Sequence, residues 1–345
     1  MLPNLTSLRF FLALFVVLFH LSEFALNRGF PYYNNHPIFF KGNEAVYVFF
    51  TLSGFLIIRN LIREKFTFGK INLIQFYKKR ALRIFPLYYL VLFIGLVYYN
   101  LILQFFGFEF ERKYNLVEGI FQGIFFLPNI LANDQPGGIL EVLWSIGIEE
   151  QFYLIIAPIF FLINRKYILL FLIGFTFIYA LIFHLKVLPF LIQYRMYFYF
   201  FSMGGILSFI EFKNFNKLDY KILEILNYTI FIIIFFTNIF QENLSDLGLH
   251  LLYSLNFSAT IYYLSKKSIP ILDSKVLNYL GSISYGIYMY HAIIFQVVGF
   301  IFLNIKINND SLHIVLFYSL VISMTILISS LSYKYFESYF LKLND

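Results

Sequence analysis

An arginine and a histidine lie eleven residues apart inside the first apolar run of the chain, LTSLRFFLALFVVLFHLSEFAL over 5–26. On one helix Arg9 and His20 would be separated by roughly 16 Å. A charge inside a membrane helix costs about 2.5–3.5 kcal/mol on the insertion scale, so such residues tend to face protein or water and to mark a pathway or a reacting centre. Plainer readings exist: Arg9 could snorkel to the interface, and His20 could be a hydrogen-bonded interior histidine. Histidine beside a carboxylate is the pairing that a general base needs near neutral pH. The carboxylates in question are Glu149 and Glu150, in LWSIGIEEQFYLI.

Helix rise turns these positions into depths. His20 lies roughly 9 Å from the outer end of its span, Glu149 and Glu150 roughly 10–12 Å, and Arg195 roughly 8 Å. One outer layer would then hold a histidine, two carboxylates and an arginine, which are cheaper to bury as partners than alone. The alternative is a salt-bridge network that only locks the helices. A second cluster sits at the inner face in YKKRALRIFPLYY (77–89). Arg80 and Arg83, at i and i+3, share a helix face and suit phosphate oxygens. A basic run there is also the ordinary mark of a cytoplasmic helix end. Arg9 is a third candidate for the same ligand. Ser53 and Gly54 interrupt an apolar run where small residues favour close helix approach. His291 is expected between the two clusters. Trp144, the only tryptophan, reads equally as an interface anchor and as a stacking platform for a sugar ring. Glu337 reads as the partner of a nearby base. A phosphate-friendly inner mouth and an outer acid–base layer suit transfer of a group from a cytoplasmic phosphorylated carrier to something outside.

The elements that must position these residues are membrane helices. The 345 residues are 60% hydrophobic and 13% charged, with mean hydropathy +0.75. Such a composition excludes a soluble globule and predicts an all-α, polytopic helix bundle in a single domain over 1–345. Apolar runs predict about ten spans: 5–26, 44–62, 84–106, 142–163, 167–184, 190–210, 222–240, 247–264, 283–303 and 312–336. The segment 117–131 is short and reads as re-entrant or interfacial. With ten spans and both termini cytoplasmic, 19 of the 26 Lys and Arg residues fall inside, as expected for the plasma membrane. The first span has no evident cleavage site and reads as retained. No cysteine is present, which excludes disulfides, thiolate metal sites and cysteine nucleophiles. The pattern predicts no metal site and no nucleic-acid partner; membrane lipids are the surroundings.

Five segments, in order, resemble the acyltransferase-3 family of membrane O-acyltransferases: LRFFLALFVVLFH (8–20), VFFTLSGFLI (48–57), KRALRIFPLYYL (79–90), LWSIGIEEQFYLI (143–155) and ISYGIYMYHAII (283–294). A sixth is YKYFESYFL (333–341). The resemblance implies transfer of an acyl group, often acetyl, from cytoplasmic acyl-CoA to a hydroxyl of an extracytoplasmic or membrane-linked carbohydrate or glycolipid. Carried over, His20 matches the family's essential histidine and Arg9 its basic partner. Arg80 and Arg83 match a basic pair associated with coenzyme A, and Glu149 and Glu150 an acidic pair. Arg195 matches loosely. The chain ends at Asp345, without the hydrolase-like domain some members append, so it is expected to transfer alone or to hand on to another protein. Rival classes are a glycolipid transporter or flippase, with charges lining a path, and a non-catalytic assembly partner; acyl-CoA turnover separates the first reading from both.

Overall fold

In the computed structural model the described residues are 2–108, 110–214 and 220–343. Their regular structure is entirely helical. Helices of eight residues or more are α1 (Leu5–Arg28), α2 (Gly42–Phe68), α3 (Leu73–Val97), α4 (Leu116–Ile124), α5 (Trp144–Leu162), α6 (Ile168–His184), α7 (Phe198–Phe212), α8 (Lys221–Phe236), α9 (Asp246–Lys266), α10 (Lys275–Ser282), α11 (Ser284–Phe302) and α12 (Asp310–Ser332). Polar caps set several starts by accepting from otherwise unpaired first-turn amides. Asn72 accepts from the Gln75 amide at 3.0 Å, and Asn115 from Val117 at 2.9 Å. Asn309 accepts from Leu312 at 2.9 Å. Gly29 and Gly69 end α1 and α2 at φ +69 and +75, a left-handed conformation that costs glycine nothing.

Among the described residues seven helical stretches are long and apolar enough to cross a membrane: Leu5–Arg28, Gly42–Phe68, Leu73–Phe105, Gly138–Leu162, Arg165–His184, Ser284–Phe302 and Asp310–Lys342. The chain is a multi-pass membrane protein. The other three expected spans form helices of a different kind. In 190–210 the chain breaks, leaving α7 with 15 residues, and α8 has 16. At 1.5 Å per residue these reach only about 22–24 Å, short of a hydrocarbon core of about 30 Å. α9 has the length, 21 residues, but carries Asp246, His250, Asn256 and Thr260. The segment 117–131 folds as α4, nine residues, and a single turn, Pro128–Leu131. A helix of about 14 Å cannot cross.

The chain divides into two compact units. The first comprises 1–71, 155–192 and 197–284. α2 is its centre, with 83% of its apolar window buried. Gly54 lies against the Phe201 carbonyl and Gly204 against that of Thr51, so the backbones of α2 and α7 touch where any Cβ would collide. At one end Asn4 donates to the carbonyls of Leu264 and Lys267. Buried Lys41 donates to Asn238 at 3.0 Å, and Glu44 accepts from Gln241 at 2.6 Å. Arg59 forms a bidentate pair with Glu211 at 2.7 and 2.8 Å.

The second unit comprises 72–154, 193–196 and 285–345. Here α3 runs antiparallel to the chain from Gly138 into α5. The Tyr77 hydroxyl donates to the Leu154 carbonyl at 3.4 Å, and at the other end the Ile139 amide donates to the Tyr99 hydroxyl at 3.1 Å. Gly95 lets α3 close on Leu140 and Ile139. α4 is tied to α3 by the Tyr88 hydroxyl, which donates to the Gly123 carbonyl at 2.7 Å.

Candidate active site

In the first unit His20 lies about four turns along α1, partly exposed. Its Nδ1 is 3.0 Å from Glu23 Oε2, one turn ahead on the same helix. The Phe19 ring beside it fills the space over Gly42, which sets the face His20 presents. With Nδ1 donating to the carboxylate, Nε2 carries the lone pair: the tautomer a general base needs. Arg9 is half-buried in the first turns of α1, and Ser53 stands half-buried on α2 beside the Gly54 crossing.

In the second unit Arg80 and Arg83 lie on α3. Arg80 is partly buried and Arg83 exposed. Arg80 is within electrostatic reach of Arg83, Glu149 and Glu150. Glu149 accepts from the Tyr153 hydroxyl at 2.7 Å. Glu150 is 6% exposed, and its Oε1 has no hydrogen-bond partner among the described residues. Trp144, buried at the start of α5, is covered by the Arg195 guanidinium 5.1 Å from its ring centre. That contact occupies the indole face with a cation. Nearby Gln151 donates to the Phe126 carbonyl at 2.8 Å and to Asn129 at 2.7 Å. His291 is fully buried, with Nδ1 against the Tyr288 carbonyl, and the Tyr288 hydroxyl donates to Val142 at 2.9 Å. Glu337 accepts from Ser332 at 3.0 Å, and Tyr290 donates to Ser332 at 2.9 Å.

The acyltransferase-3 sequence pattern (Acyltransferase domain) matches residues 2–334. The chain belongs to the acyltransferase-3 family. Over 379 residues it is 28% identical to the Staphylococcus aureus (strain COL) protein named "Putative O-acetyltransferase", covering 99% of this chain and 57% of that protein. It thus spans 57% of the length of that relative. An Acidianus two-tailed virus protein named "Putative acetyltransferase" is 28% identical over 314 residues, covering 86% of this chain and 84% of the viral one. The O-acetyltransferase OatA of Staphylococcus aureus (strain NCTC 8325 / PS 47) is 31% identical over 173 residues, covering 48% of this chain and 26% of OatA. No solved structure matches.

Within this acyltransferase-3 chain the candidate residues group differently from the two depth layers expected from sequence. Arg80 and the acidic pair, assigned there to opposite faces, come together inside the second unit. Two element boundaries explain this. α3 begins at Leu73, eleven residues before the expected span, which puts Arg80 inside a helix instead of at its mouth. The span holding the acids begins at Gly138, which centres Glu150 within it. His20 and Arg9 belong to the first unit. Glu23 was missed; its signal was the i, i+3 spacing in HLSE, which faces a carboxylate to the imidazole on any helix. Tyr153, four residues from Glu149, had the same kind of signal. Among the described residues no group of three or more His, Asp and Glu side chains could hold a metal ion.

Proposed function

We propose that this chain is an integral-membrane O-acyltransferase that moves an acyl group, acetyl by preference, from acyl-CoA to a hydroxyl of an extracytoplasmic or membrane-linked carbohydrate. The observation that carries this reading is the His20–Glu23 pair, an imidazole whose Nδ1 is 3.0 Å from a carboxylate, in a chain of the acyltransferase-3 family. His20 Nε2 takes the acceptor hydroxyl proton as the oxygen attacks the thioester carbonyl carbon. The C–O bond forms, the C–S bond breaks, and the coenzyme A thiolate recovers the proton from the imidazolium. Transfer through an acyl-histidine uses the same nitrogen. Because Glu23 holds the imidazole, Glu149 and Glu150 serve on the donor side as the acidic part of the transfer site. Arg80 and Arg83, with Arg9 as a third basic group, neutralise donor phosphates. Donor entry from the cytoplasm, acceptor modification outside, a plasma-membrane location and cytoplasmic termini complete the reading.

The names of the O-acetyltransferase relatives support acetyl as the group moved. The test is transfer from radiolabelled acetyl-CoA to membrane and surface glycans by protein reconstituted in lipid. His20→Ala should lose at least about 100-fold in rate, since a general base supplies about 10²–10⁴-fold. A variant retaining a tenth of the rate overturns the assignment.

A further inference from the structure

Two buried polar atoms of opposite sense lie at one level of the second unit, and neither has a partner among the described residues: Arg80 Nε, a donor, and Glu150 Oε1, an acceptor. Their level follows from helix pairing. Tyr77 of α3 meets Leu154 of α5, and the Phe76 ring stands edge-on to Tyr153, centres 6.4 Å apart. From that contact α3 advances three residues to Arg80, and the antiparallel α5 goes back four to Glu150. These are rises of about 4.5 and 6 Å in the same direction, so the two residues come level to within about 1.5 Å. Glu149 turns its Oε1 to the Tyr153 hydroxyl, which leaves Glu150 as the acceptor facing Arg80's level. Arg83, one turn further along α3, is exposed.

A buried donor and a buried acceptor are each costly unless paired. Both are satisfied by one group that offers a carbonyl oxygen and an N–H together, which is a secondary amide. An acyl-CoA carries two secondary amides in the uncharged arm between its phosphates and its thioester. Resting on the donor proposed above, we infer that Arg80 and Glu150 form an amide clamp on the pantetheine arm, with Arg80 Nε donating to the amide carbonyl and Glu150 Oε1 accepting from the amide N–H. The exposed Arg83 then keeps the phosphate role, and Arg80's terminal nitrogens stay available beside it. A phosphate anion alone satisfies Arg80 but repels Glu150, so the pair distinguishes an arm from a free phosphate. The clamp selects CoA thioesters over thioesters lacking the amides, because an analogue without the N–H leaves a buried acceptor unpaired.

The test uses the full chain in lipid nanodiscs and binding by titration calorimetry, with CoA and two isosteres in which one or the other amide N–H is replaced by an ester oxygen. One isostere should bind about 10- to 100-fold more weakly than CoA, the range for a hydrogen bond to a charged group. Glu150→Leu should bring that isostere and CoA to the same affinity. Glu150→Gln, which keeps an acceptor oxygen of the same shape, should retain the preference. Arg80→Lys, which keeps the charge but removes Nε, should weaken CoA and the isosteres alike. Equal binding of all three ligands by the unaltered protein overturns the clamp, whatever the variants do. A preference that survives Glu150→Leu overturns it too. Preferential CoA binding without acetyl transfer would keep the clamp and reject the acyltransferase reading. Transfer without amide preference would do the reverse.

Discussion

His20 and Glu23 form an i, i+3 pair on one helix, so the geometry that readies the imidazole is local. Exposed helical pairs of this kind contribute only about 0.3–0.5 kcal/mol to stability, so Glu23 can be changed with little structural consequence. Glu23→Gln should leave thermal stability within about 2 °C and lower kcat about tenfold or more, as expected when a base loses the group that holds its tautomer. An unchanged kcat would show that His20 is oriented from elsewhere. On the donor side, Arg83→Gln should raise KM for acetyl-CoA several-fold and leave KM for the acceptor unchanged, because a phosphate contact is uniform binding. If the donor KM does not move, the Arg83 charge serves topology alone.

Helix packing in the first unit depends on two glycines that oppose each other's backbones. Gly54 meets Phe201 and Gly204 meets Thr51, and no side chain can yield at a backbone contact. Gly204→Val should therefore destabilise by about 1–3 kcal/mol or more through overpacking. Detergent-solubilised protein would show this as a lowered unfolding midpoint, and an unchanged midpoint would contradict the close crossing of α2 and α7. The loop before α2 is held by a buried ion pair. Lys41 Nζ lies 3.8 Å from Glu44 Oε1. Burial pushes the Lys41 ammonium below its ordinary value of 10.5, against the pull of Glu44. A lysine lowered on folding binds its proton less well in the native state, so its penalty is full at neutral pH and lifts as pH rises towards 10.5. Stability should thus rise as pH climbs towards 10.5 by more in the unaltered protein than in Lys41→Met. Parallel pH dependences would remove Lys41 as the cause.

At the scale of the whole chain the reading commits to one direction for the helices. The proposed topology, with both termini in the cytoplasm, counts 190–210, 222–240 and 247–264 as crossings beside the seven long stretches, and α4, at nine residues, is too short to add another. Single cysteines are clean probes because the chain has none of its own. A cysteine at Asn243, at the end of the short helix Ile239–Asn243, should react with an impermeant thiol reagent on intact cells. One at Asn216, which lies outside the described residues, should be protected. The reverse labelling would invert the proposed topology and put the donor entrance on the wrong side of the membrane.

The sequence by itself was enough for the helical membrane class and the family. Apolar runs have no other way to satisfy their backbone in lipid, and the motifs carry their spacing in the chain itself. It was also enough for the packing role of Gly54, because a small residue at that position signals close approach. Span lengths were less legible. Hydropathy registers composition but not where a helix is broken, so 190–210 read as one span although α7 begins only at Phe198. Arg80 and Glu150, read from sequence at opposite faces, come together in the second unit for a related reason. Counting from the edge of an apolar run assumes the helix starts there, whereas the Asn72 cap starts α3 eleven residues earlier. Tertiary structure alone decided which groups share a unit, because antiparallel pairing of Tyr77 with Leu154 brings together residues some seventy positions apart. No periodicity along one chain encodes the register between two helices. That register depends on side-chain fit, on a tyrosine finding one particular carbonyl, and it brings Arg80 and Glu150 to one level of the second unit.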